Sequence, residues 1–332
     1  MNNQFFICLS LVLVWGGGTE IVSADTLSPV TSSISAVPLK IKQQFNAAKV
    51  ALNRIYFSPN GQTVVTASAS GVASLWSLMG ESLSTMDGQK PPMFNARFSP
   101  NGQTITTTGY DGTIRLWNTQ GKLLKQQQSN RAAVTDILIS LDEKFIVTSS
   151  DDGQTQIFNR DGIRLAGILK SGTARSLAYT AQGNLIASAY DSGTVYLINP
   201  NGEIRHAIVT GQGRINNVRF SPNGKQILTS GINGTAKLWQ LNGKLLSELK
   251  APSIGWVNSA AFHPNSRLIA TASDDGILRL WQTNAELIYS MPLGENNKLT
   301  SLDFSSDGKK LAVVSNRGQV WIVDVSKLER YL

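Results

Sequence analysis

Residues 262–282 read FHPNSRLIATASDDGILRLWQ, and copies of this stretch recur along the chain. Residues 98–118 read FSPNGQTITTTGYDGTIRLWN, and residues 220–240 read FSPNGKQILTSGINGTAKLWQ. The copies begin 40 to 42 residues apart, and weaker ones begin at Phe57, Ile139, Tyr179 and Phe304. Seven copies at this period, with strand-like segments, predict a repetitive β architecture such as a propeller or an array.

One repeat predicts four short strands. The runs Val257–Phe262, Leu268–Ser273 and Ile277–Gln282 are rich in apolar and β-branched residues, and a fourth run lies near 286–291. The first turn, His-Pro-Asn-Ser, is Ser-Pro-Asn-Gly elsewhere, where proline presets φ and glycine accepts a left-handed backbone. The second turn, Asp-Asp-Gly, is typical of a tight hairpin. Four antiparallel strands in about forty residues predict one propeller blade.

A turn that ends in glycine, with tryptophan five residues later, resembles the WD-repeat family. The pairs are Gly71 and Trp76, Gly112 and Trp117, Gly234 and Trp239, and Gly276 and Trp281. The remaining copies carry Phe158, Ile198 and Val323 in place of tryptophan. The resemblance covers roughly residues 38–325. It implies an all-β fold, a seven-bladed β-propeller of four-stranded antiparallel blades.

The family resemblance also implies a hydrogen-bonded set in each blade. In WD-repeat proteins it joins a turn aspartate, a serine or threonine four residues earlier, the tryptophan, and a histidine from the loop before the first strand. Three of these positions are matched in two repeats, by Thr107, Asp111 and Trp117 and by Thr271, Asp275 and Trp281. Neither histidine of the chain falls at the fourth position. We therefore expect an incomplete network, with more reliance on strand pairing and apolar packing between blades.

The order of segments predicts how the ring closes. Residues 39–57 resemble residues 122–140 in spacing, so residues 38–45 predict a fourth strand with no first three strands before it. The seventh copy ends its third strand near Val325. We expect the N-terminal strand to complete the last blade, which removes an open sheet edge. Residues 38–332 then form one propeller domain.

Residues 1–24 differ from the repeats and predict a cleaved signal peptide. Residues 5–15 form an apolar run too short to span a bilayer, and Val22 and Ala24 provide a small-residue cleavage site. Residues 25–37 are small and polar and predict a flexible lead-in. The sequence thus predicts an exported protein, periplasmic or extracellular, without a transmembrane span in the mature chain. The alternative is a retained N-terminus that is disordered or acts as a weak anchor.

The net charge limits the kinds of partner that we expect, and the cysteine content limits the disulfides. The formal charge of the chain is +8, and it becomes +9 after cleavage because Glu20 is the one charged residue removed. A basic surface attracts acidic partners, although basic residues spread singly over the repeats also fit ordinary solubility charge. Nucleic acid is not an expected partner of an exported protein. The one cysteine, Cys8, lies in the predicted signal peptide, so no disulfide is expected.

The sequence shows no constellation for catalysis or metal binding. Two histidines at unrelated repeat positions argue against a histidine-centred metal site or a Ser-His-Asp triad. Neither H-E-x-x-H nor G-x-S-x-G occurs. We therefore expect a non-enzymatic protein without cofactor or metal. Two alternatives stay open: an enzyme or small-ligand receptor that uses the central channel, and an envelope propeller of the TolB kind.

Surface recognition is the function that these observations favour. In WD-repeat proteins the face with the turns between second and third strands commonly binds partners. Residues near those turns and at the entries to the first strands vary among the repeats. Several of them are arginine or aromatic residues, which are frequent interface hot spots. The predicted partner-binding residues are Arg54, Phe94, Tyr110, Asp136, Arg175, Tyr190, Arg214 and Trp256. The sequence thus predicts a monomeric platform for a protein partner, which is acidic if the basic surface takes part.

Overall fold

Seven four-stranded antiparallel sheets form the blades of a propeller. The computed structural model describes residues 39–129, 132–251, 255–294 and 296–331. The predicted signal peptide and lead-in, residues 1–37, lie outside the described residues. The prediction of a seven-bladed β-propeller is confirmed.

The first strand of the described chain, β1 (Lys40–Asn46), belongs to the last blade, and every other blade is built from consecutive strands. Blade 1 contains β2 (Leu52–Phe57), β3 (Thr63–Ser68), β4 (Ala73–Ser77) and β5 (Ser82–Met86). Blade 2 contains β6 (Met93–Phe98), β7 (Thr104–Gly109), β8 (Thr113–Asn118) and β9 (Leu123–Gln128). Blade 3 contains β10 (Val134–Ile139), β11 (Phe145–Ser150), β12 (Gln154–Asn159) and β13 (Arg164–Leu169).

The second half of the ring repeats this order. Blade 4 contains β14 (Ala174–Tyr179), β15 (Ile186–Tyr190), β16 (Thr194–Ile198) and β17 (Ile204–Val209). Blade 5 contains β18 (Ile215–Phe220), β19 (Gln226–Gly231), β20 (Thr235–Gln240) and β21 (Leu245–Lys250). Blade 6 contains β22 (Val257–Phe262), β23 (Leu268–Ser273), β24 (Ile277–Gln282) and β25 (Leu287–Pro292). Blade 7 contains β26 (Leu299–Phe304), β27 (Lys310–Ser315), β28 (Gln319–Asp324) and β1, and a 3-10 helix, Ser326–Tyr331, follows it.

Blade 7 joins the two ends of the described chain. Strand β1 pairs antiparallel with β28, the third strand of the seventh repeat. Lys42 Nζ lies 3.1 Å from a carboxylate oxygen of Asp324, and the ring of Phe45 lies 5.2 Å from that of Trp76 in blade 1. The predicted closure by the N-terminal strand is confirmed, and this strand also contacts the neighbouring blade.

The Ser-Pro-Asn-Gly turns join the first and second strands as the sequence predicts. In blade 1, Gly61 has a φ of 66°, and its N–H donates to the carbonyl of Ser58 at 2.8 Å. The hydroxyl of Ser58 donates to Asn60 Oδ1 at 2.6 Å and accepts from the N–H of Thr63 at 3.1 Å. The turn residues therefore satisfy their own polar groups and fix the register of the first hairpin.

Each first strand carries a β-bulge at its second residue, because the pairing with the second strand shifts between its first and third residues. A bulge bends the strand and re-aims the bulged side chain. First strands of neighbouring blades contact one another and so surround the central channel. We call the end where first strands begin the upper face, and the end with the Ser-Pro-Asn-Gly turns the lower face.

Much of the apolar core lies between blades. Trp117 of blade 2, for example, packs with Leu75 and Met86 of blade 1. In blade 3 the smaller ring of Phe158 stands at the tryptophan position, and a cavity of about 290 Å³ separates it from Leu116 of blade 2. The tryptophan positions thus fill the space between blades, and their replacement by phenylalanine leaves part of it empty.

Glutamine replaces the histidine of the hydrogen-bonded set in two blades. Trp117 Nε1 donates to Thr107 Oγ1 at 3.0 Å, and Thr107 in turn donates to Gln89 Oε1 at 2.9 Å. Gln89 Nε2 then donates to Asp111 Oδ1 at 2.9 Å. Blade 5 repeats the first two links with Trp239, Thr229 and Gln212. The expectation of an incomplete network is wrong for blade 2, because an amide can donate and accept as a neutral imidazole does.

Candidate functional site

A depression of about 430 Å³ lies at the upper face, where the first strands enter the channel. We call it the upper depression. Five of the eight predicted partner-binding residues line it, namely Arg54, Phe94, Arg175, Arg214 and Trp256. These residues come from blades 1, 2, 4, 5 and 6, so the ring brings together positions that are more than 200 residues apart in the chain.

The bulge residues around the upper depression mostly tie blades together. In five blades an amide or hydroxyl at this position donates to the carbonyl of the first residue in the next blade's first strand. These donors are Asn53, Thr135, Asn216, Asn258 and Thr300. Phe94 and Arg175 occupy the same register in blades 2 and 4. Neither side chain carries an amide or hydroxyl group, so neither makes this hydrogen bond to the next blade.

Arg214 and Trp256 form an arginine–aromatic pair at the edge of the upper depression. The guanidinium carbon of Arg214 lies 4.6 Å from the centroid of the Trp256 ring, which is a cation–π distance. Trp256 is 42% exposed, so its large ring remains open to contact on one side. Arg214 Nε also donates to Asn216 Oδ1 at 3.3 Å, and this bond holds the guanidinium in place.

Arg54 has unused donor capacity beside the same depression. Its Nη1 donates to the carbonyl of Asn53 at 3.2 Å. Its Nε is buried and has no hydrogen-bond acceptor among the residues that the structure describes. A buried guanidinium nitrogen without an acceptor is costly. Because this nitrogen is itself enclosed, an incoming oxygen would meet the part of Arg54 that lines the depression.

Some cations around the upper depression are already paired with carboxylates, and others are not. Arg175 forms a bidentate ion pair with Asp191, and Lys298 Nζ lies 3.1 Å from Asp274. Burial raises the pKa of Asp151, which also lines the depression, although Arg175 opposes the shift. Arg54 and Arg214 are in no ion pair within the described part of the chain. These two arginines are therefore the cations best placed to meet an anion from outside.

Three predicted residues do not line the upper depression. Tyr110 is 62% exposed in the turn between β7 and β8. Asp136 is fully buried in the third position of β10, where its carboxylate accepts the N–H of Leu177 in blade 4 at 2.8 Å. Tyr190 is also fully buried, and its hydroxyl donates to the carbonyl of Gly153 in blade 3 at 3.2 Å. Asp136 and Tyr190 thus join blades and are not exposed for contact.

The reason for these two misplacements is a shift of one residue in register. Asp136 follows the bulge, whereas Phe94 and Arg175 are the bulge residues themselves. Arg54 also follows the bulge in its own blade, but its longer side chain lines the upper depression. Tyr190 lies three residues before its turn glycine, but Tyr110 lies two residues before its own. A shift of one residue in a strand turns a side chain to the opposite face of the sheet.

A polar cluster that was not predicted from the sequence lies at the other end of the channel. Arg97, Arg219, Tyr56 and Asp303 line a cavity of about 390 Å³ among the lower-face turns, which we call the lower cavity. All four are the fifth residues of their first strands. Comparison of that register across the repeats could have found them, since the equivalents in the other blades are Leu138, Ala178 and Ala261.

The lower cluster perturbs the acidity of its own members. Burial raises the pKa of Asp303 to about 6, and the positive charges of Arg219 and Arg97 limit that rise. Burial also acts to raise the pKa of the Tyr56 phenol, but the two guanidiniums outweigh it and lower that pKa. The field in this part of the channel is therefore positive.

The described residues contain neither a metal-binding cluster nor a helix that could span a membrane. No group of three or more histidine, cysteine, aspartate or glutamate side chains there has an arrangement that could hold a metal ion. Within the same ranges, no helix has the length and apolar character needed to cross a bilayer.

Comparisons with known proteins agree with the repeat pattern. Residues 40–77, 80–118, 121–159, 204–240 and 243–282 match the family described as WD domain, G-beta repeat. WD repeat-containing protein slr1409 of Synechocystis sp. (strain ATCC 27184 / PCC 6803 / Kazusa) is 68% identical over 324 residues, which are 97% of this chain and 98% of that protein. The uncharacterized WD repeat-containing protein slr1410 of the same organism is 38% identical over 89 residues, 27% of each chain.

Proposed function

Since this chain belongs to the WD-repeat family, whose propellers typically mediate protein interactions, we propose that it is a non-catalytic platform that binds a protein through the upper depression. The observation that carries the proposal is the convergence of Arg54, Arg214 and Trp256 on one opening. Arginine and tryptophan are the residue types in which interface binding energy is most often concentrated.

We further propose that the partner presents an acidic side chain next to an apolar one. Arg54 and Arg214 line the opening without an ion-pair partner among the described residues, and Arg214 is held over an indole ring with its terminal nitrogens available. A carboxylate can accept two parallel N–H donors from a guanidinium. The exposed part of Trp256 and the half-buried ring of Phe94 offer the apolar contact. Because Arg175 is paired with Asp191, its contribution to binding is smaller than that of Arg54 or Arg214.

The double variant Arg54→Ala plus Arg214→Ala tests the platform. We expect it to weaken binding of a partner captured from a cell-envelope fraction by about 2 kcal/mol or more, roughly thirtyfold in Kd. The free energy of unfolding should change little, because partly exposed substitutions that break no ion pair typically act within about 0.5 kcal/mol. Calorimetric titration and thermal melting measure the two quantities.

Lys225→Ala is the matched control for this experiment. Lys225 is an exposed cation in the turn between β18 and β19, on the lower face. Partner binding to this variant should equal that of the unaltered protein. Equal losses in the control and the double variant would indicate diffuse charge attraction, and no loss in either would place the contact surface elsewhere. Both results contradict the proposal.

We also propose that the platform works outside the cytoplasm. The support is the apolar run 5–15 and the small residues Val22 and Ala24, which together favour signal-peptide cleavage before Asp25. The intact mass of the protein purified from its native source should therefore correspond to residues 25–332. A native mass that includes residues 1–24 contradicts this part of the proposal and leaves the platform itself untouched.

A further inference from the structure

The lower cavity contains two guanidiniums, those of Arg97 and Arg219, which lie close to one aromatic ring. The guanidinium carbons of Arg97 and Arg219 lie 4.4 and 5.5 Å from the centroid of the Tyr56 ring. Arg219 Nη2 also donates to the Tyr56 hydroxyl at 3.3 Å. Within the described ranges, neither arginine is in an ion pair with a carboxylate. Two cations are thus held close to one ring, and among the described residues neither is in an ion pair.

This arrangement has an electrostatic cost that an anion would remove. Tyr56 is only 6% exposed, and Arg97 and Arg219 are partly buried, so the three groups have lost part of their contact with bulk water. Like charges repel more strongly where water is excluded, and a desolvated cation is unfavourable unless an anion compensates it. The cation–π contacts with Tyr56 offset part of the cost and fix the guanidiniums in position. An anion that enters the lower cavity meets donors that are already oriented.

Asp303 does not supply the missing charge. Its Oδ2 accepts the N–H of Phe57 at 2.9 Å, which holds the carboxylate against the backbone of blade 1. No nitrogen of Arg97 or Arg219 lies within ion-pair distance of it. Asp303 therefore weakens the positive field of the cavity without pairing with either arginine.

The rest of the lining selects the kind of anion. Leu138 and Ala178, from blades 3 and 4, contribute an apolar wall of the lower cavity. Its volume of about 390 Å³ lies within the range of small-molecule sites, roughly 300–1,000 Å³. A few oriented polar groups in a largely apolar pocket are characteristic of such sites. We propose that the lower cavity binds a small organic acid, with its carboxylate at Arg97 and Arg219 and its apolar part against Leu138 and Ala178.

Benzoate is a suitable probe, since it combines one carboxylate with a flat apolar ring. We expect saturable binding to the full chain by calorimetric titration, and at least tenfold weaker binding to Arg97→Gln and to Arg219→Gln. Glutamine keeps a hydrogen-bond donor at each position but removes the charge. We expect Asp303→Asn to bind benzoate several-fold more tightly, because it removes the opposing charge and keeps an acceptor for the Phe57 N–H.

Lys244→Gln provides the matched control. Lys244 is an exposed cation in the turn between β20 and β21, at the outer edge of the lower end of blade 5. Its loss should leave benzoate affinity within twofold, as should the double variant Arg54→Ala plus Arg214→Ala at the upper depression. The second comparison separates this site from the platform, so that either proposal can fail alone. Thermal melting checks that each variant is folded.

Three results would overturn the assignment. The first is the absence of saturable benzoate binding to the unaltered protein. The second is a benzoate affinity that is unchanged in both arginine variants and in Asp303→Asn. The third is inorganic phosphate binding as tightly as benzoate, which would show that the apolar wall does not select an organic acid. The opposite responses expected of the arginine and aspartate variants keep the test informative even if one arginine variant does not fold.

Discussion

A chain that begins at Ala47 should melt on the order of 10 °C below one that begins at Leu39. The missing residues, 39–46, include the whole of β1, which supplies the fourth strand of blade 7. Their removal exposes the hydrogen-bonding edge of β28 and takes Phe45 away from Trp76. It also removes Leu39, which is buried in the core between blades 6 and 7. A loss of about 4 kcal/mol is the expected sum of a lost strand ladder and its packing.

The comparison of these two truncated chains isolates β1, because both lack residues 1–38. Thermal melting gives the stability, and light scattering reports association through the exposed edge of β28. The synthetic peptide LKIKQQFN, residues 39–46, should restore part of the lost melting temperature by adding a strand to that edge. A scrambled peptide should not. Equal melting temperatures for the two truncated chains would contradict the view that β1 stabilises the ring.

The fold could be predicted because each repeat carries the same pattern of strand-forming and turn residues. In blade 6 the predicted strands Val257–Phe262, Leu268–Ser273 and Ile277–Gln282 agree with the structure, and the fourth strand is displaced by one residue. Turn residues mark both ends of these strands, so their bounds are visible in the sequence. Closure could also be predicted, since residues 38–45 have the spacing of a fourth strand without a blade of their own.

The candidate site was harder to predict because it depends on features that the repeat pattern hides. The bulge at the second residue of each first strand places Phe94 and Arg175 at the upper depression. It separates Arg175 from Asp136 by one position in register, and blades 2 and 4 lack the Asn or Thr that stands at the bulge in the other five blades. The glutamines of the hydrogen-bonded sets were missed for a related reason. Gln89 lies four residues before its first strand and Gln212 lies three residues before its own. The spacing between the glutamine and the strand therefore varies with loop length.

The lower cavity shows a second limit of prediction from the sequence. A sequence repeat predicts which positions are equivalent, but it does not predict which side chains from separate blades meet across the channel. Arg219 of blade 5 reaches Tyr56 of blade 1, and these residues are 163 positions apart. Only the closed ring brings them within hydrogen-bond distance. Charged residues at a single register of several first strands are the pattern that would have indicated the cluster.

Asp136→Ala should lower the free energy of unfolding by about 4 kcal/mol. The carboxylate is fully buried and accepts from the backbone N–H groups of Ile137 and Leu177, each at 2.8 Å, and from Asn95 Nδ2. These donors lie in blades 2, 3 and 4, so one side chain joins three blades. Alanine leaves all three buried donors without their acceptor, and each such group costs roughly 1–3 kcal/mol. Urea denaturation, analysed by its midpoint and slope, measures the loss.

The repeats themselves provide the control, Asp136→Ser. Serine occupies the same register in blades 4, 6 and 7, where Ser176, Ser259 and Ser301 accept a backbone N–H from the following blade at 3.3–3.4 Å. A serine at position 136 should therefore still accept from Leu177 and should lose about half as much stability as alanine. Equal losses for the two variants would mean that the bond to blade 4 contributes little. A loss below about 1 kcal/mol for alanine would contradict the assignment of Asp136 as the link between blades, because buried donors left without an acceptor cost more than that.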